Sequence, residues 1–138
     1  MHIASLGPGD EQRVHDAAHL FDERPREDAI ARFLADANHH LLIAYDDGTP
    51  AGFVSGVEVT HPDKGTEMFL YELGVDERFR RRGIARALLR ELAAVARERG
   101  CYGMFVLTDD WNDAALATYD VDCATRENGI VMFSWDPL

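Results

Sequence analysis

Residues 68–107 constrain the fold of this chain more than any other stretch. Met68 to Val75 reads as a strand that is apolar on both faces apart from Glu72, and such strands lie centrally in a sheet. Arg80-Arg81-Arg82-Gly83 follows, and then Ile84, Leu88, Leu89, Leu92, Val95 and Ala96 recur at helical spacing between Gly83 and Arg99. Arg97 and Arg99 occupy the last turn and Gly100 supplies the C-terminal cap. Met104 to Leu107 reads as a second buried strand, which must return parallel to the first through the helix by a right-handed crossover. A chain built on this unit is α/β with a mixed sheet.

The remaining segments fit around it. Pro8-Gly9-Asp10 ends an opening strand and starts a helix carrying Val14, Ala17, Ala18 and Phe21; Asp22 to Pro25 starts a second, with Ile30, Phe33, Leu34 and Ala37 on one face. Leu41 to Tyr45 and Ala51 to Thr60 pair through a hairpin turn at Asp46 to Thr49, and residues 61–66 form a loop. Asp113 to about Tyr119 reads as a short helix and Ile130 to Trp135 as a last strand. With 138 residues and no internal repeat or Pro/Ser-rich linker, 1–138 is expected to be a single domain.

No leader-like N-terminus and no apolar run of membrane-spanning length is present, so a soluble, cytoplasmic protein without membrane contact is expected. Cys101 and Cys123 are then expected as reduced thiols without a catalytic role. The 25 acidic and 14 basic residues give a net charge of -11, which repels nucleic acid and favours cationic partners. Against that background Arg78, Arg80, Arg81, Arg82 and Arg86 form a basic island, and a basic island in an acidic chain implies a localised anionic ligand.

The loop between strand and helix has the chemistry of a phosphate site. Backbone N–H groups at a helix start point at the ligand, Gly83 lets the backbone approach it, and the small Ala85 keeps the helix start clear. Arg80 to Ala85 matches Arg/Gln-x-x-Gly-x-Gly/Ala. A Walker A loop is excluded because no Gly-Lys-Ser/Thr is present, and Gly-x-Gly-x-x-Gly is absent too. Glu72 is a lone carboxylate in an apolar strand, where burial would raise its pKa towards that of a general base; a role in binding a cation is equally compatible. Asp109 to Asp113 concentrates carboxylates suited to an ammonium-bearing substrate, or to capping the helix that follows. His15 and His19, and His39-His40, lack a third ligand nearby in sequence, so no metal is assigned.

Phe69 to Val75, Arg80 to Glu98, Phe105-Val106, Asp109 to Tyr119, Thr125-Arg126-Glu127 and Phe133 together resemble the GCN5-related N-acetyltransferase (GNAT) superfamily, most closely its aminoglycoside 3-N-acetyltransferase type I branch. The resemblance implies a GNAT fold, a central mixed β-sheet splayed between two parallel strands and flanked by helices. It implies acetyl-CoA as cosubstrate, its pyrophosphate on Arg80, Arg81, Arg82, Gly83, Ile84 and Ala85, and its pantetheine on Leu73, Gly74 and Val75, where a bulge frees backbone groups, and on Asn112. Asn112-x-x-Ala115-x-x-Thr118-Tyr119 resembles the segment whose tyrosine protonates the leaving thiolate, a role implied for Tyr119. Glu72 would act as base or substrate binder, with Asp109, Asp110 and Glu127 as further substrate carboxylates.

The implied activity is direct acetyl transfer, in a ternary complex, to an aminoglycoside amino group at the 3-N position, conferring resistance. Another small polyamine or a protein amine is the alternative acceptor, and a CoA-binding sensor without turnover the alternative from outside the enzymes. Dimers are frequent in this superfamily, which makes a homodimer compatible. The chain departs from the family at Tyr119 to Glu127, where the usual Leu-Gly step is lost and a residue or two is gained; Asp120 and Asp122 are at odds with the usual helix C-cap and return turn, in a region that often shapes the acceptor pocket.

Overall fold

The computed structural model describes residues 1–120 and 124–138; Asp122 and Cys123, singled out from the sequence, lie outside the described residues. The chain divides into two compact units, Met1–Leu107 and Thr108–Leu138.

In the first unit five strands lie in sequence order: β1 (His2–Leu6), β2 (His39–Asp46), β3 (Thr49–His61), β4 (Gly65–Val75) and β5 (Met104–Val106). The first four form an antiparallel meander and β5 runs parallel to β4. Asp47 and Gly48 both adopt positive φ, 48° and 79°, the pairing that a two-residue hairpin turn with the right twist requires between β2 and β3. Helices α1 (Glu11–Asp16) and α2 (Glu27–Ala35) separate β1 from β2, and α3 (Ile84–Glu98) joins β4 to β5. Helix α1 is shorter than its apolar spacing suggests: a 3-10 turn over Ala18–Leu20 takes its place, leaving Phe21 beyond both.

Alternation along the strands supplies two cores. Leu41, Ile43 and Phe53 join Leu6, Val14, Ala17, Ile30 and Leu34 beside α1 and α2. The opposite face meets α3, whose buried Ile84, Leu88, Leu92 and Ala96 recur three or four residues apart. That helix lies close because β3 presents glycines to it: a Cβ on Gly52 would stand 2.9 Å from the Gly74 carbonyl oxygen and 3.1 Å from Ile84 Cγ2, and one on Gly56 would stand 3.0 Å from Leu92 Cδ1. Leu88 and Leu92 are fully buried, so truncating either to alanine costs about 2–5 kcal/mol. At the end of α3, Gly100 (φ 77°) sits outside the last turn, with its N–H donating to Arg97 O and that of Cys101 to Ala96 O, a Schellman closure. Burial pushes the free Cys101 thiol up, and so keeps it protonated.

The parallel ladder between β4 and β5 pairs only Met68, Phe69 and Leu70 with Met104, Phe105 and Val106. Past Leu70, β4 has no strand on that side among the described residues, and this is where the sheet opens.

The second unit holds α4 (Asp113–Tyr119). Its start is fixed by Asn112, whose Oδ1 accepts from Ala115 N–H at 3.1 Å. Asp120 N–H closes the helix on Leu116 O, and the Asp120 carboxylate pairs with Arg126. The strand expected over Ile130–Trp135 does not form: residues 124–138 carry no regular element. A strand needs a ladder for its N–H and C=O groups, and none is supplied among the described residues; Phe133 and Trp135 are about three-quarters exposed.

Candidate active site

Asp76, directly after β4, opens the loop to α3. Its carboxylate accepts from Arg78 Nη2 (2.8 Å) and from the Arg78 N–H (2.9 Å), and these bonds hold its pKa at about 2. A 3-10 turn over Glu77–Phe79 follows, then Arg81 at φ 63° and Gly83 at φ 77°. Left-handed backbone is costly for arginine and free for glycine, so the loop stores its strain at Arg81. A Cβ on Gly83 would meet nothing within 4 Å. Helix α3 has no capping side chain and no acid in its first turn. The result is an open cradle of unpaired N–H groups at the positive end of a fifteen-residue helix.

The five arginines are not equivalent. Arg82 donates to Asp46 Oδ2 at 2.9 Å and lies over the Phe79 ring, Arg78 belongs to Asp76, and Arg80 is 3.8 Å from Glu77. Arg81 and Arg86 have no ion pair among the described residues. Within the run 80–82, Arg81 is therefore the arginine without an ion pair among the described residues, which nothing in the arginine run singles out.

In β4 the bulge does not fall at Gly74. Ser55 pairs with Glu72 and Gly56 with Leu70, so Tyr71 is the extra residue, whereas Leu73, Gly74 and Val75 pair regularly with Val54, Phe53 and Gly52. Gly74 lacks a side chain for a packing reason: a Cβ there would stand 3.0 Å from Phe53 Cε1 and 3.5 Å from Leu20 O. The bulge leaves the Glu72 N–H to the Ser55 hydroxyl, which accepts it at 3.2 Å. On their other edge Leu73 to Val75 are the segment that β5 does not cover.

Glu72 lines a cavity of about 450 Å³ between the sheet and α2, together with Glu23, Arg26, Ser55 and Tyr71. Partial burial raises its pKa, and the charge of Asp22 adds to the effect. Asp22 and Glu23 escaped the sequence reading because they look like the start of α2; the helix begins at Glu27, which leaves both in the preceding loop.

The other proposed residues belong to the second unit. Asp109, Asp110 and Glu127 are exposed. Asn112 takes the capping role that the sequence left open for the acidic run. Tyr119 ends α4, and burial pushes its phenol up, which keeps it protonated at neutral pH. Of the histidines, His19 Nε2 lies 3.0 Å from Pro50 O, and His40 shares Glu58 with Arg99, each at 2.7 Å. Among the described residues no group of three His, Cys, Asp or Glu side chains is arranged to hold a metal, and no helix is long and apolar enough to cross a membrane.

Residues 10–123 match the model of the acetyltransferase (GNAT) family. The N-alpha-acetyltransferase RimI of Mycobacterium tuberculosis is 38% identical over 120 residues, 85% of this chain and 73% of that protein. A thialysine N-epsilon-acetyltransferase of Caenorhabditis elegans is 33% identical over 100 residues, 70% of this chain and 62% of its own length. Among solved structures, an aminoglycoside acetyltransferase from an uncultured soil metagenomic sample, in complex with sisomicin, shares the fold with a TM-score of 0.88 at 21% identity, covering 97% of this chain and 94% of that one.

Proposed function

Because the chain belongs to the acetyltransferase (GNAT) family, we propose that it transfers the acetyl group of acetyl-CoA to a cationic primary amine. The observation that carries this reading is the cradle at 80–85: an uncapped helix start, left-handed Gly83 with open space where a side chain would stand, and Arg81 without an ion pair among the described residues. A pyrophosphate is the anion that fits such a cradle. The N–H groups of Gly83, Ile84 and Ala85 would receive it, with Arg80, Arg81 and Arg82 around them, Arg82 from its place on Asp46. The uncovered edge of Leu73, Gly74 and Val75 offers backbone groups to pantetheine, and the Asn112 amide nitrogen, left over from capping, offers another donor.

Acetyl-CoA supplies an activated thioester. The ammonium first gives up a proton, which frees the lone pair; the amine then attacks the carbonyl carbon, the C–S bond breaks as the C–N bond forms, a second proton leaves the nitrogen for solvent, and the thiolate takes one up. Glu72, with its raised pKa, suits removal of the first proton or the binding of the ammonium. Tyr119, held protonated, suits protonation of the thiolate.

For the acceptor, an aminoglycoside is supported by the fold shared with aminoglycoside acetyltransferases and by the carboxylates Glu72, Asp109, Asp110 and Glu127, the 3-N amine being the nitrogen that the branch resemblance implies. A peptide or protein amine is supported by the 38% identity to an N-alpha-acetyltransferase. The deciding assay measures thiol release from acetyl-CoA with an aminoglycoside, spermidine and a lysine peptide supplied separately. Tight CoA binding without release on any amine would make the protein a sensor and refute the enzyme reading. Tyr119→Phe is expected to lower kcat by about 10²–10⁴-fold with CoA affinity unchanged, and full activity in that variant would remove Tyr119 from the chemistry.

A further inference from the structure

The cavity beside Glu72 has a wall that ammonium binding leaves unexplained. Phe21, Ile30, Phe33, Leu41 and Val57 line most of it, at a volume within the roughly 300–1,000 Å³ of small-molecule sites. Two of its rings are held by other rings: Phe33 stacks on His39, with centroids 5.0 Å apart, and Phe21 packs tilted by 38° against Phe53 at 4.5 Å. Two of its polar groups are committed: Ser55 accepts from the Glu72 N–H, and Arg26 is held by Asp28 through bonds of 3.1 and 2.9 Å. Tyr71, with its hydroxyl, lines the same cavity, and His39 Nδ1 is buried without a hydrogen bond among the described residues, 3.6 Å from Asp36. The carboxylates of Glu72 and Glu23 supply the charge, with Asp22 near enough to act on Glu72. A hydrocarbon wall with uncompensated negative charge complements one kind of occupant, a cation attached to an apolar body.

We propose that the acceptor is a small primary amine carrying a bulky aryl or branched alkyl group, with that group in the α2 cavity and the ammonium on the Glu72 side. The proposal rests on the acetyltransferase reading and narrows its substrate. A polyhydroxylated amine would bring hydroxyls against a wall that offers them few partners, at a desolvation cost with no return. An aryl group gains from each ring surface that it covers.

The experiment compares kcat/KM for 2-phenylethylamine, ethanolamine and an aminoglycoside at saturating acetyl-CoA. Burying a phenyl-sized group should favour phenylethylamine over ethanolamine by roughly ten- to a hundredfold. Ala29 lines the same cavity from an exposed position on α2, so Ala29→Trp should fill the cavity and bring that ratio close to one. CoA titration reports that the variant is folded. A ratio near one in the unmodified protein, a preference for the aminoglycoside, or a ratio unchanged by Ala29→Trp would overturn the proposal and leave the acetyltransferase reading intact. Absence of turnover with all three amines despite CoA binding would overturn both.

Discussion

Gly83 and Gly100 make a matched pair for isolating what the cradle does. Both adopt φ 77°, at either a Cβ would meet nothing within 4 Å, and they flank opposite ends of α3. An alanine in left-handed backbone costs about 1–2 kcal/mol, and the reduced freedom of the unfolded chain returns about 0.4–1 kcal/mol. Each substitution should therefore destabilise by about 1 kcal/mol, which lowers Tm by on the order of 4 °C for a chain of this size. The stability losses should be alike because the backbone problem is alike. Affinity should separate them. A methyl on Gly83 projects into the space proposed for pyrophosphate, and weakening CoA at least tenfold corresponds to about 1.4 kcal/mol; a methyl on Gly100 touches no proposed ligand. The assay is a thermal melt of Gly83→Ala and Gly100→Ala without ligand, then CoA titration of each by calorimetry. If both variants bind CoA as the unmodified protein does, the pyrophosphate does not rest on Gly83 and the cradle argument fails.

Glu72 gives a test in which activity and stability move in opposite directions. Its folded pKa is raised, so its contribution is least unfavourable below the unfolded value and turns against the fold as pH rises through the folded one; Glu72→Gln should raise Tm at pH 7, leave it unchanged near pH 3.5, and lower kcat/KM for the amine. A Tm gain of the same size at both pH values would mean that charge is not the cause. Asp76 has the opposite sign: with a folded pKa of about 2, its stabilisation is complete above its unfolded value near 4 and fades as pH falls towards 2. Asp76→Asn should lower Tm at pH 7 and make little difference at pH 2, as read by circular dichroism melts across that range.

Periodicity made the sheet and α3 legible in the sequence, because every burial decision there is local: apolar residues at spacing two or near 3.6 declare a strand or a helix face. What escaped depended on partners distant in sequence. The bulge appeared to belong to Gly74, yet that glycine accommodates Phe53, and the irregularity arises where β3 and β4 pair at Ser55 and Gly56. The arginine run gave no sign that Arg82 would pair with Asp46, 36 residues earlier. Asp22 and Glu23 looked like a helix start, but α2 begins later, and Glu23 instead lines the cavity while the charge of Asp22 acts on Glu72. The apolar spacing at 130–135 suggested a strand, but a pattern alone provides no ladder partner.

The extra residue in β4 also decides on which side of the sheet chemistry takes place. Side chains alternate along a strand, so uninterrupted pairing would send residue 72 to the same face as Met68 and Leu70, beneath the α3 leucines. Tyr71 resets the parity. Glu72 falls opposite Ser55, facing the cavity, while Leu73, opposite Val54, returns hydrocarbon to the helix side. Removing one residue at Tyr71 would exchange them, placing a carboxylate in the α3 core and a leucine where the amine is to be received. A single unpaired position in the ladder thus keeps a charged group out of the core without interrupting the strand that carries it.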